Sequence, residues 1–83
     1  MKKVIIYTTE DCNYCKAAKA LLQSRKIAFE EVFVAESDDA AFDALVKKSG
    51  MRTFPQIFAN QELIGGFSDL SELDKKDQLK SLL

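Results

Sequence analysis

Two cysteines stand three apart, as Cys12-Asn13-Tyr14-Cys15, and the chain of 83 residues has no others. They follow an apolar run, Val4-Ile5-Ile6-Tyr7, and open a helical pattern that includes Ala17, Ala18, Leu21 and Leu22. A Cys-x-x-Cys at a strand-to-helix turn reads as a redox pair. The start of a helix carries partial positive charge and unpaired N–H groups, and both favour a thiolate, the reactive form of cysteine. Two blander readings compete. A purely structural disulfide here would close a tiny loop, and loop-closure stabilisation grows with loop length. A mononuclear zinc site needs four ligands, the pair supplies two, and the chain has no histidine to add. No metal site of that kind is expected.

The elements around the pair predict its setting. Lys3 to Thr8 reads as a buried strand, and a helix follows from Asn13 to Ser24. Cys15 falls on the apolar stripe of that helix, one turn before Ala18, and should be the buried thiol; Cys12, at the helix start, should be exposed. Ile27 to Val34 reads as a second strand, most clearly from Phe29. Strand, helix and strand in so short a span form a βαβ unit with parallel pairing and a right-handed crossover. Ser37 suits an N-cap, Phe42, Leu45 and Val46 a buried helical face, and Gly50 a stop. Gln56 to Ala59 and Glu62 to Ile64, joined by Asn60-Gln61, predict an antiparallel hairpin. Ser68 then suits the cap of a last helix bearing Leu70 and Leu73, and Leu79, Leu82 and Leu83 a terminal turn packing on the core. The order β-α-β-α-β-β-α implies an α/β fold: a four-stranded mixed sheet flanked by three or more helices, the minimal thioredoxin-like architecture, as one domain over residues 1–83.

Composition bounds the function. The chain is 47% hydrophobic and 30% charged, with a net charge of −1, so nothing in it asks for nucleic acid. No apolar run approaches a membrane span, and the run after the basic start ends by Thr8, too short for a signal peptide. The expected compartment is the reducing cytoplasm, where a cysteine pair is more often catalytic than structural.

Three other features can carry chemistry. Pro55, the chain's only proline, stands where thioredoxin-like folds place a cis-proline facing the active thiol; a cis bond turns the backbone of the preceding residue toward an extended ligand. Gly65-Gly66-Phe67-Ser68-Asp69 is a hairpin exit and helix start. The same atoms suit an amino-acid head group: the N–H groups of Phe67 and Ser68 for a carboxylate, Asp69 for an ammonium. Tyr14, inside the cysteine motif, either packs or lines a groove for a peptide-like ligand.

With these three segments in this order, the sequence resembles the glutaredoxins, specifically the small bacterial dithiol type. The resemblance rests on Cys-x-Tyr-Cys within Tyr7 to Leu22, on Arg-Thr-x-Pro within Arg52 to Phe58, and on Gly-Gly-x-Ser-Asp-Leu from Gly65 to Leu70. It implies a glutathione-dependent oxidoreductase that reduces protein disulfides and glutathione mixed disulfides, ribonucleotide reductase among the family's substrates. By the same resemblance Cys12 is the nucleophile and Cys15 the resolving thiol. Tyr14 flanks glutathione; the backbone of Phe54 before Pro55 pairs with its cysteinyl unit, with Arg52 and Thr53 of the same segment also binding glutathione; Gly66, Phe67, Ser68 and Asp69 hold its γ-glutamyl end. A monomer is expected. Lys16, Lys19 and Arg52 are candidate cations for the glutathione carboxylates.

Two positions depart from the family pattern. Asn13 replaces the usual proline, a change that in some relatives accompanies a glutathione-held [2Fe-2S] cluster between two subunits, so a cluster-binding dimer is one alternative function. Thr9 replaces a common lysine, while Glu10 and Asp11 bring negative charge near Cys12, which disfavours a thiolate. A second alternative is a redoxin reduced by thioredoxin reductase, which changes the Gly65 to Asp69 segment.

Overall fold

The computed structural model describes residues 3–79. Seven elements follow one another: β1 (Val4–Thr8), α1 (Asn13–Ser24), β2 (Glu30–Phe33), α2 (Asp39–Ser49), β3 (Gln56–Ala59), β4 (Glu62–Gly65) and α3 (Phe67–Lys75). The sheet runs in the order β2-β1-β3-β4. β1 pairs in parallel with β2, while the β1–β3 and β3–β4 pairs are antiparallel. This is the four-stranded mixed sheet with three helices that the element order predicts.

The period of two along β1 separates two cores. Val4 and Ile6 face one side, where they meet Ala18 and Leu22 of α1, Ile57 of β3 and Leu70 of α3. Tyr7 faces the other side with Phe58 and Val34, against Leu45 and Phe42 of α2. Ile6, Leu22, Ile57 and Leu70 have no exposed surface; burying each contributes about 1.5–3 kcal/mol. Across the first face, Arg25 at the end of α1 grips Asp74 of α3 with two hydrogen bonds, of 2.6 and 3.0 Å. That grip holds the Asp74 carboxyl below its ordinary range. The active helix is thereby fixed against α3, whose first turn matters below.

Three local expectations need correction. β2 forms only over Glu30–Phe33 and lies at the sheet edge, with all four residues exposed. Ile27 and Phe29 precede it and pack against the first core, and Val34 is buried in the second. Ser37 does not cap α2; Asp38 does, its Oδ1 accepting from Ala41 N–H at 3.1 Å. Ser68 does not cap α3 either: Gly66 is the N-cap, and Ser68 lies inside the first turn. In both places a neighbouring residue also satisfies the capping rule, and the turn leading into the helix decides between them. The Asn60-Gln61 hairpin forms as expected, both residues at positive φ (49° and 71°). Leu79 is buried in the first core; Leu82 and Leu83 lie outside the described residues.

Candidate active site

Cys12 is the N-cap of α1, in extended conformation. Its Sγ accepts a hydrogen bond from the Cys15 N–H at 3.1 Å. A donor aimed at sulfur from the first turn of a helix is an arrangement that lowers the cost of a thiolate. Cys12 and Cys15 are joined as a disulfide, with Cα atoms 5.2 Å apart. Cys15 is buried. Cys12 is half-buried rather than fully exposed, because its sulfur folds back onto the helix start.

Beside the pair lies a cavity of about 470 Å³, lined by Tyr14, Met51, Thr53, Phe54, Pro55, Gly66, Phe67, Ser68 and Asp69. Neither cysteine lines it; Tyr14, between them in sequence, does. Three segments distant in the chain converge there. From α1 comes Tyr14, two-thirds exposed, its ring tilted over Phe67 with centroids 5.8 Å apart. From the loop before β3 come Met51, Thr53, Phe54 and Pro55, and the Phe54–Pro55 peptide is cis. From the head of α3 come Gly66 to Asp69. The N–H groups of Phe67 and Ser68 stand at the first positions of that helix, where no carbonyl one turn back can accept them.

Gly65 fixes the third segment. Its φ of +132° suits glycine, and a Cβ there would stand 2.6 Å from Asp69 Cγ. Asp69 fills that space because its Oδ2 accepts from the Gly66 N–H at 3.0 Å, closing half of a capping box. The second segment is fixed by Gln56. Its Nε2 donates to Met51 O at 3.1 Å and Thr53 O at 3.0 Å, holding the loop over itself. The Gln56 Oε1 is buried without a partner. Two carbonyls can only accept, so the amide must turn its nitrogen toward them and its oxygen away.

Of the residues expected at the site, eight gather in this cavity and Arg52 does not line it. The Arg52 guanidinium stands 5.5 Å over the Phe42 ring instead. Lys19 is paired with Glu31 at 3.0 Å. Sequence reasoning misses Met51 and Gln56; an aliphatic residue in a loop and a glutamine in a strand carry no periodic signal. Near Cys12, Thr9 and Glu10 acquire partners. Thr9 Oγ1 donates to Val34 O at 2.7 Å, and Glu10 Oε1 accepts from Glu36 N–H at 3.2 Å. Nearby, Thr8 and Lys19 both donate to Glu31, and these bonds, Thr8's first, pull the Glu31 carboxyl below its usual range.

The family model for glutaredoxin matches residues 4–64. This chain belongs to the glutaredoxin family. It is 46% identical over 83 residues to glutaredoxin 1 of Rickettsia bellii, covering 96% of this chain and 85% of that protein. The solution structure of glutaredoxin from Brucella melitensis superposes with a TM-score of 0.86 at 40% identity, over all of this chain and 89% of that one. The fold also matches the buckwheat glutaredoxin–glutathione complex, with a TM-score of 0.88 at 24% identity over 99% of this chain and 76% of that one. The family model stops before the Gly65 to Asp69 segment; the Rickettsia match runs past it. As a glutaredoxin with a bonded Cys12–Cys15 pair, the protein is a thiol–disulfide oxidoreductase with a thioredoxin-like fold.

Proposed function

We propose that this glutaredoxin draws its electrons from glutathione and passes them to protein disulfides and glutathione mixed disulfides in the reducing cytoplasm. The observation that carries the proposal is the cavity beside the cysteine pair. About 470 Å³ is within the range of small-ligand sites, roughly 300–1,000 Å³. Its lining suits glutathione from end to end. The head of α3 offers the N–H groups of Phe67 and Ser68 to the γ-glutamyl carboxylate, with Asp69 for the ammonium. Phe54 offers backbone to the cysteinyl unit, and the Tyr14 and Phe67 rings form an apolar wall. The buckwheat glutaredoxin of the same fold holds glutathione. A redoxin served by thioredoxin reductase has no use for this head-group seat.

The exchange follows from the positions. Cys12 thiolate attacks one sulfur of a substrate disulfide; that S–S bond breaks and the other sulfur leaves as a thiolate. Cys15 gives up its proton and attacks Cys12 Sγ, forming the internal disulfide and expelling the second substrate sulfur. One glutathione thiolate then opens the Cys12–Cys15 bond by bonding to Cys12, and Cys15 leaves as a thiolate. A second glutathione thiolate attacks the Cys12-bound glutathione, releasing oxidised glutathione and the Cys12 thiolate. Two glutathiones are oxidised for each disulfide reduced. A glutathione mixed disulfide needs Cys12 alone, because the protein thiol is the first leaving group. Among the described residues no group of three or more Cys, Asp or Glu side chains could hold a metal ion, and Cys15 is buried. A glutathione-held cluster between two subunits would take one thiol from each chain, and no step above runs through one.

The test couples reduction of a mixed disulfide to glutathione and its reductase. Cys12→Ser should abolish turnover. Cys15→Ser should keep deglutathionylation and lose reduction of protein disulfides, with ribonucleotide reductase one such substrate to try. Equal loss in the two variants would contradict the division of labour between attacking and resolving thiol.

A further inference from the structure

A second cavity, of about 360 Å³, opens on the α2 side of the sheet and is lined by Thr9, Val34, Ala35, Glu36, Asp39, Phe42 and Phe54. It adjoins the active site at two points. Phe54 lines both cavities, and Thr9 is three residues from Cys12. The Phe42 and Phe54 rings stand 6.2 Å apart and give the groove an aromatic floor. The only charged residues in its lining are Glu36 and Asp39. Glu10 and Asp38 stand behind them, Glu10 accepting the Glu36 N–H and Asp38 capping α2. Two cations on this side, Arg52 over Phe42 and Lys48 over Tyr7 and Phe58, do not line the groove.

From this apolar groove with its acidic rim we infer a docking site for protein substrates that carry lysine or arginine a few residues from their disulfide cysteine. The inference rests on Cys12 being the attacking sulfur, and it does not need glutathione. When the glutathione half of a mixed disulfide fills the first cavity, the polypeptide flanking the substrate cysteine lies elsewhere against Cys12. Here an aliphatic stem would cover the phenyl floor, the cation would approach a ring face, and two carboxylates would meet it at the rim. An acidic segment would meet the same carboxylates as repulsion.

The experiment uses the reduced protein, freed of reductant, in single turnover against cysteine peptides held as mixed disulfides with 2-mercaptoethanol. The peptides differ only in a lysine, glutamine or glutamate near the cysteine. The readout is the ratio of second-order rates for lysine over glutamate peptides, so any loss common to both cancels. The ratio should be about ten at low salt, since each rim carboxylate attracts one peptide and repels the other. Salt of about 1 M should bring it toward one. Glu36→Gln with Asp39→Asn should bring it to one, as should Glu36→Lys alone, which leaves one charge of each sign, and Glu36→Lys with Asp39→Lys should invert it. Glu62→Gln, on the far edge of the sheet, should leave it alone. A ratio within two-fold of one in the unaltered protein would overturn the inference, as would a ratio that survives salt or the double substitution, or one that Glu62→Gln changes equally. Failure to reduce any of the peptides would instead sink the thiol chemistry on which the groove depends.

Discussion

Replacing Gly65 by alanine tests whether the cavity wall depends on one missing methyl group. The backbone of Gly65 has φ +132°, and the added Cβ would stand 2.6 Å from Asp69 Cγ and 2.9 Å from Asp69 Cβ. Two costs arise. An L-residue held in that region of φ costs about 1–3 kcal/mol. The carboxylate, pushed aside, gives up its bond to the Gly66 N–H, and a lost cap costs about 1 kcal/mol. Together they make about 2–4 kcal/mol, which for a domain of this size lowers Tm by about 8–30 °C. Asp69→Ala alone should cost only the cap, about 1 kcal/mol. In the double variant the cap is lost once and the carboxylate is gone, leaving only the 2.9 Å Cβ–Cβ contact, so it should unfold much like Gly65→Ala alone. Urea titration of the four proteins should therefore give a coupling of about 1 kcal/mol. Additivity within about 0.5 kcal/mol, or a Gly65→Ala protein as stable as the parent, would refute the reasoning.

Two other perturbations follow from named bonds. Glu31 is held below its usual pKa of 4.5 chiefly by the Thr8 hydroxyl and then by Lys19, so its ionised form is favoured in the folded state. The unfolded chain takes up the proton first as pH falls. The stabilisation is present above about pH 4.5 and is lost as pH drops through the folded value. Urea unfolding from about pH 7 to about pH 3 should show Glu31→Gln less stable than the parent at neutral pH, by under about 1 kcal/mol for so exposed a pair. The two proteins should converge in acid, and a constant gap would contradict the assignment. Gln56→Leu strips two hydrogen bonds from the loop carrying Thr53 to Pro55 and leaves two carbonyls bare, each costing about 1–3 kcal/mol, while the partnerless Oε1 also disappears. The net loss should be about 1–3 kcal/mol, and in the glutathione-coupled assay KM should rise more than kcat falls; an unchanged KM would remove Gln56 from site positioning.

The elements were legible where local pattern and tertiary demand agree. α1 runs from Asn13 to Ser24 as its apolar stripe predicts, because Cys15, Ala18 and Leu22 are the residues it buries. The hairpin turn at Asn60-Gln61 holds both residues at positive φ, a conformation that asparagine tolerates. Legibility fails where several residues satisfy one rule. Ser37 and Asp38 both suit a cap, as do Gly66 and Ser68, and the path of the incoming chain chooses between them. β2 is shorter than its sequence pattern because it borders one neighbour only, and its ladder with β1 ends at Phe33. Arg52 is a harder case. Its charge suggests a carboxylate partner, but it lies over an aromatic face contributed by α2, and nothing in the local sequence brings Phe42 to residue 52.

Thr9 and Glu10 shape how the Cys12 sulfur is supported. Lysine at position 9 would supply a mobile charge, whose influence on an exposed sulfur weakens with salt. Thr9 instead donates to Val34 O and ties the β1–α1 turn to the end of β2. Glu10, which could oppose a thiolate, is turned toward the Glu36 N–H. What remains aimed at Cys12 Sγ is the N–H of Cys15, a neutral donor at fixed geometry that bulk salt barely screens. Support for the Cys12 sulfur thus comes from the backbone of Cys15. The same two carboxyl-bearing segments, Glu10 and Glu36 to Asp39, give the α2 side its negative rim. With threonine at position 9 the Cys12 sulfur depends on helix geometry, and under the proposed docking the surface beside it would sort substrates by charge.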